Sequence, residues 1–198
     1  MREQKGVIIF IKNPSLGKVK TRLAKEVRDQ EALNIYKALL TYTRQVSKEV
    51  RALRFLFYAD YINEQDEWSN QKFIKGLQDQ GDLGDRITEA FRITLEQCEK
   101  AVIIGSDCPQ IKASHVEAAF EALNKKDVVI GPTIDGGYYL LGMKKLHLPL
   151  IEDIPWSSGQ EFEVTLKRAL KNHLTIEVLE ALADVDYKED WEKFGWPL

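Results

Sequence analysis

Short apolar runs alternate along the chain with longer stretches whose apolar positions recur every three to four residues. GVIIFI at 6–11, RFLFYA at 54–59, KFIKGL at 72–77, AVIIGS at 101–106 and DVVIG at 127–131 read as strands, and YYLLGMK at 138–144 adds another. Helical patterns occupy about 29–50, 84–98, 114–124 and 159–172, with capping-box spacing from Ser114 to Glu117 and from Ser158 to Glu161. KEDWEKF suggests a further short helix. The alternation predicts an α/β fold. VIIFI and AVII lack polar alternation, which suits central parallel strands covered on both faces by helices. No repeat, low-complexity tract or Pro/Gly/Ser-rich linker divides residues 1–198, so one domain is expected.

Open α/β sheets bind ligands beyond the carboxyl ends of their strands. Three loops are expected to share that rim: Lys12 to Val19, Ser106-Asp107-Cys108-Pro109, and Thr133 to Gly137. The first gathers Lys12, Lys18, Lys20 and Arg22 around Pro14 and Gly17, cations and a sterically open backbone that suit a nucleotide's phosphates. It is not a Walker loop, because Lys12 replaces the first glycine and Val19 the Ser/Thr, and a single glycine cannot make a GxGxxG fingerprint. The plain alternative is that Lys18, Lys20, Arg22, Lys25 and Arg28 form a solvated helix face.

Asp107, at the end of VIIGSD, is a candidate ligand for a divalent cation that bridges phosphate oxygens. In ADVDYKEDW, Asp186 is taken as the second ligand and Asp184 is expected to turn away. Either metal candidate has a structural alternative: Asp107 could cap a turn and Asp186 the short helix. In GPTIDGGYYLLG, Asp135 offers an acceptor to sugar or acceptor substrate, while Gly136 and Gly137 let backbone approach a ligand or simply form a tight turn. Tyr138 and Tyr139 should face opposite sides, one lining a pocket and the other in the core. The segment from Gln80 to Arg86 reads as a ligand-facing helix start with Gly84 and Arg86 near phosphate, although Asp82 or Asp85 could serve only as caps. Trp156 is a candidate lid or acceptor platform, or else a hydrophobic staple.

Composition narrows the classes. A net charge of −3 with interspersed bases argues against a nucleic-acid partner. Cys98 and Cys108 have no disulfide or zinc-site spacing, and cysteine catalysis through Cys108 and His115 lacks a triad. His147 and His173 are solitary and read as structural. The run VIIFI is too short for a signal-peptide core or membrane span, so a cytoplasmic protein without a membrane partner is expected.

On these residues the chain resembles a bacterial and archaeal family of GT-A-fold, nucleotide-diphospho-sugar-transferase-like proteins of unknown function. The resemblance rests on FxKxPxxGxVKTRLA (Phe10 to Ala24), GDLGxR (Gly81 to Arg86), GSDCP (Gly105 to Pro109), GPxxDGGYYLxG (Gly131 to Gly142), PWS (Pro155 to Ser157) and DVDYKEDW. It implies a three-layer α/β/α sandwich with a mixed, mostly parallel sheet. It is also similar to the guanylyltransferases of 2-phospholactate and molybdenum-cofactor synthesis, which implies that Lys12, Lys20 and Arg22 hold phosphates and that Asp107 and Asp186 hold Mg²⁺ or Mn²⁺. The loop is poorer in glycine than in those enzymes, and SDC replaces the usual DxD of GT-A glycosyltransferases.

The resulting expectation is a metal-dependent glycosyltransferase acting from a nucleotide-sugar on a small-molecule acceptor, with Asp107, Asp135 and Lys20 as catalytic candidates. A nucleotidyltransferase releasing pyrophosphate from an NTP is the second reading, and a non-catalytic nucleotide-binding protein the third. Base, sugar, acceptor and oligomeric state, a homo-oligomer included, are left open by the sequence.

Overall fold

The two most apolar runs become neighbours at the middle of one sheet. In the computed structural model, which describes residues 3–198, they form β1 (Glu3–Ile11) and β4 (Cys98–Ile104). The other strands are β2 (Leu53–Tyr58), β3 (Ile74–Leu77), β5 (Val128–Pro132), β6 (Tyr138–Met143) and β7 (Ile176–Val178). The order across the sheet is β3-β2-β1-β4-β6-β5-β7. Strands β1 to β4 pair in parallel, with Ile8 opposite Phe55 on one side and Ile103 on the other. β6 runs antiparallel to both β4 and β5, and β7 pairs in parallel with β5. The sheet is therefore mixed and mostly parallel. The carboxyl ends of β1, β4 and β5 share one edge, and the start of β6 lies among them.

Strand alternation sends side chains into two cores. Val7, Ile9 and Ile11 pack with Tyr36 and Leu40 of α2 (Asp29–Glu49) and with Val116 and Phe120 of α4 (Ala113–Ala122). Ile8 and Ile103 pack on the other face with Phe91 of α3 (Leu83–Gln97) and Ala169 of α5 (Glu161–Lys171). These completely buried positions are why the apolar runs show no polar residue. A third cluster joins Leu23 and Val27 of α1 (Thr21–Val27) to Ile35 and Leu39 of α2, with Val185 from the tail and Trp191 of α6 (Lys188–Phe194) against it. That cluster brings the tail beside the loop that follows β1.

Helix starts differ in detail from expectation. α4 begins one residue before Ser114, and His115 Nδ1 accepts from the Lys112 backbone N–H at 3.0 Å. Ser158 N–H does donate to Glu161 at 2.9 Å, but the helix opens at Glu161 itself. Asp82 and Asp85 form a reciprocal capping box, each accepting the other's backbone N–H at 3.0 Å. α6 is capped by Asp190, which accepts from Asp186 N and Tyr187 N at 3.0 and 2.7 Å. Asp186 is thereby left free of the capping role. No helix among the described residues is long and apolar enough to cross a membrane.

Candidate active site

The loop after β1 is held from below before it turns outward. Tyr36 OH accepts from Lys12 N at 2.8 Å and donates to Lys12 O at 3.0 Å. Burial raises the Tyr36 pKa above the ordinary phenol value, which preserves this donor. Asn13 is buried, with its amide donating to Tyr61 O at 2.9 Å and accepting from Asp60 N at 3.1 Å. Beyond Pro14, Lys18 N donates to Ser15 O at 3.1 Å, and Gly17 takes the positive φ of 71° that this turn requires. Val19 then re-enters the core.

Lys20 follows in the left-handed region, φ 47° and ψ 46°, a strained conformation for a residue with a Cβ. Its Nζ donates to Val185 O at 2.6 Å and lies 2.8 Å from Asp107 Oδ1 and 3.8 Å from Asp186 Oδ1. The Lys20 side chain is 5% exposed, so its charge is held where water competes little. Arg22 Nη1 meets Asp186 Oδ2 at 2.6 Å, and the attraction of Asp186 raises the guanidinium pKa. Val185 N–H donates to Asp107 O at 3.0 Å, stitching the tail to the loop after β4. Three distant segments thus converge on one ammonium.

Above this convergence lies a cavity of about 530 Å³, a size suited to a small-molecule ligand. Lys12, Lys18, Lys20, Arg22 and Arg86 border it against only two carboxylates, Asp107 and Asp186. Phe10, Ala59, Leu83 and Ile87 add apolar surface to its lining, and Gln78 borders it too.

A second cavity of about 680 Å³ shares Asp107, Asp186, Arg22 and Tyr138 with the first and adds Asp135, Gly137, Trp156 and Asp184. Carboxylate oxygens of Asp135, Asp184 and Asp186 lie within 4.8 Å of one another. Burial, and then the charges of Asp135 and Asp186, push the Asp184 pKa up to about 6. Of the three, Asp186 already meets Arg22 at 2.6 Å and Lys20 at 3.8 Å. Three hard oxygen donors in mutual reach fit a divalent cation, so the donor set is compatible with Mg²⁺ or Mn²⁺. Asp135 is also committed to its own turn, since Oδ1 accepts from Thr133 Oγ1 at 2.5 Å and from Gly137 N at 3.2 Å.

Among the residues expected from sequence, Lys12, Lys20, Arg22, Arg86, Asp107 and Asp186 border the first cavity. Asp135, Gly137 and Trp156 border the second, and Tyr138 borders both. Four glycine or proline positions do not line either. Pro14 and Gly17 shape the turn, while Gly84 is packed where a Cβ would press on Ile151 O and Trp156 Nε1. Gly136 has φ 95° and abuts the carbonyl of Gly159.

Two expectations are corrected. Asp184 does not turn away: residues two apart in an extended segment share a face, and both carboxylates join Asp135. Asp107 and Asp186 both face Lys20 Nζ, at 2.8 and 3.8 Å. Tyr138 and Tyr139 do pack into opposite cores, yet both border the first cavity, because it runs along three successive residues of β6. Tyr36 and Gln78 were missed, since a tyrosine in an amphipathic helix and a glutamine after a strand carry no motif. Cys108 is buried with its thiol pushed up to about 12, and His115 Nε2 lies 2.8 Å from Glu180, so the two are not arranged as nucleophile and base.

A mostly parallel sheet with ligand loops at its carboxyl edge, cationic on one side and acidic on the other, defines a nucleotide-diphospho-sugar-transferase-like protein. The chain belongs to the family described as "Uncharacterized protein conserved in bacteria (DUF2064)", whose model matches residues 42–158. It is homologous to 2-phospho-L-lactate guanylyltransferase from Methanocaldococcus sp. (strain FS406-22), 25% identical over 183 residues, 92% of this chain and 78% of that one. A crystal structure of a protein assigned as a nucleotide-diphospho-sugar transferase from Desulfovibrio desulfuricans G20 superimposes with a TM-score of 0.86 and 27% identity, covering 93% of this chain and 83% of the other. The fold alone is shared with CMP:2-keto-3-deoxy-manno-octonic acid synthetase complexed with CTP, at TM-score 0.62 and 13% identity over 96% of each chain. These relationships place the chain among transferases.

Proposed function

We propose that this chain is a nucleotidyltransferase: a small acceptor attacks the α-phosphorus of a nucleoside triphosphate, the α–β phosphoanhydride bond breaks, and pyrophosphate leaves. The observation that carries this is the charge of the first cavity, five cations against two carboxylates at the carboxyl edge of the sheet. A triphosphate is the ligand that most needs such a surplus. Lys20, fixed by Val185 and Asp107, and Arg22, fixed by Asp186, stand ready to offset charge developing on the departing pyrophosphate. The guanylyltransferase relatives support the same reaction class.

The second cavity adjoins the first through Asp107, Asp186 and Tyr138, and is the place for the acceptor. Asp135, Asp184 and Asp186 would hold a divalent cation there, which when bound would supply charge neutralisation to phosphate oxygens. Trp156 and Tyr138 meet edge to face, with centroids 6.1 Å apart and planes at 80°, and form an aromatic wall beside Asp135.

That wall favours a second reading, glycosyl transfer from a nucleotide-sugar, because an aromatic face and an acceptor carboxylate suit a sugar ring. One experiment separates the two. The protein is incubated with Mg²⁺ or Mn²⁺ and small hydroxyl or phosphorylated acceptors, with NTPs in one set and NDP-sugars in the other. Acceptor-dependent pyrophosphate from an NTP is expected; nucleoside diphosphate released from an NDP-sugar, without pyrophosphate from any NTP, overturns the first reading in favour of the second.

A further inference from the structure

The segment that carries Asp184 and Asp186 runs between two loops and is hydrogen-bonded to both. On one side it continues the pairing of β7 with β5: Leu182 N–H donates to Pro132 O at 3.1 Å, and Ile134 N–H donates to Leu182 O at 3.0 Å. On the other side it meets the loop after β4, where Val185 N–H donates to Asp107 O at 3.0 Å. Two residues earlier that rung is not made by main chain. Ala183 is buried, and its N–H donates to the side-chain Oε1 of Gln110 at 2.8 Å. The bond settles which way the amide points, because reversed it would set the Nε2 hydrogens against another N–H. One side chain thus stands in for a backbone acceptor.

The strut has a firm base. Cys108 and Ile111 on either side of it in the chain are buried, and Tyr42 OH donates to Ile111 O at 2.8 Å. Asp184 lies between Ala183 and Val185, the two residues whose N–H groups are pinned to this one loop, and the same loop carries Asp107. Its other flank is tied to Pro132 and Ile134, beside Asp135. The register of the segment against both loops therefore decides whether the oxygens of Asp135, Asp184 and Asp186 stay within 4.8 Å of one another.

We propose that Gln110 is a positioning residue for a divalent cation held by Asp135, Asp184 and Asp186: Oε1 fixes the Ala183 backbone and so aims the two tail carboxylates. Gln110 borders neither cavity, so it acts through the segment and not by touching a ligand. The inference rests on the cation-binding part of the proposed function and is independent of which bond is broken. Without Oε1, the Ala183 N–H is left buried and unpaired, a cost relieved when the segment shifts or water enters. Either response spreads the three donors, and loss of a group that orients metal ligands weakens metal binding about 10- to 100-fold.

The test uses the full chain with Mn²⁺ alone, the free ion being measured by electron paramagnetic resonance. Gln110→Met keeps the length of the side chain without an acceptor oxygen, Gln110→Asn keeps the amide but falls one carbon short, and Gln110→Glu keeps an oxygen at the original reach. Mn²⁺ should bind about tenfold or more weakly to the Met and Asn variants, and to the Glu variant at least as tightly as to within about threefold of the native chain. Amide exchange over residues 182–186 should quicken in Met and Asn and return to the native rate in Glu. Faster exchange with unchanged Mn²⁺ affinity describes a purely structural strut and overturns the proposal, while Mn²⁺ binding by the carboxylates still stands. Equal weakening in the Glu variant overturns it as well, and because two variants lack the acceptor in different ways, misfolding of one does not protect it. If the native chain binds no Mn²⁺, the cation-binding reading fails and this inference with it.

Discussion

Lys20 Nζ lies 2.8 Å from Asp107 Oδ1, joining a strained residue near the start of the chain to the loop after a central strand. The Val185 carbonyl at 2.6 Å fixes the same ammonium from the tail. Removing the ammonium should leave Asp107 without its counter-ion and the proposed phosphate site without a cation that is almost fully buried. Lys20→Met is expected to weaken triphosphate binding tenfold or more while the fold persists, since Asp107 is partly exposed and can rehydrate. Calorimetry beside circular dichroism checks both parts.

Tyr36 offers a milder test of the same loop. Tyr36→Phe removes both hydrogen bonds to the Lys12 backbone and keeps the buried ring. A stability loss on the order of 1–2 kcal/mol is expected from urea unfolding. Because the loop is loosened rather than discharged, KM for the nucleotide should rise more than kcat falls.

The carboxylate cluster predicts a pH signature. The folded pKa of Asp184, about 6, lies above the ordinary carboxylate value of 3.8. Over that interval the folded state holds the proton more tightly than the unfolded chain does. The favourable contribution is therefore complete below about pH 4 and is lost as pH rises through 6. Asp184→Asn should raise stability at pH 7 to 8 by on the order of 1–2 kcal/mol, and the gain should vanish near pH 4. Mg²⁺ or Mn²⁺ should stabilise the native protein at pH 7 and the Asn variant much less. Thermal unfolding over pH, with and without the ion, measures this.

Gly136 tests how the second cavity is walled. It has φ 95°, and a Cβ there would overlap the Gly159 carbonyl. Gly136→Ala is expected to cost on the order of 2–3 kcal/mol in urea unfolding, and to displace Asp135 from its neighbours.

Much of this architecture was legible in the chain because local pattern and burial agree. VIIFI and AVII are continuous apolar runs, and in the sheet both faces of each are covered. Where burial is slight, the pattern falls silent. β7 is three residues at a sheet edge with no fully buried position, and α1 buries only Leu23 and Val27, so its cations dominate the reading. The helix start at Ala113 was displaced by an imidazole acting as acceptor, which capping rules built on Ser, Thr, Asp and Asn do not anticipate.

The site shows the same division. Motif residues such as Lys20, Asp107 and Asp135 announce themselves by type and spacing. Asp184 was named and set aside because its face was misjudged, and the strand rule applied to positions 184 and 186 would have kept it. Tyr36 and Gln78 act through hydrogen bonds to residues 24 and 67 positions away at the end of β1. Only the fold brings such partners together.

The central claim is that triphosphate sits on the cationic loop beside Lys20 and Asp107. Its most direct test is calorimetric titration of the native protein and of Lys20→Met with NTPs in the presence of Mg²⁺. Saturable binding by the native protein and a loss of tenfold or more in the variant are predicted. Equal affinity in both, or no binding by the native protein, would contradict the account.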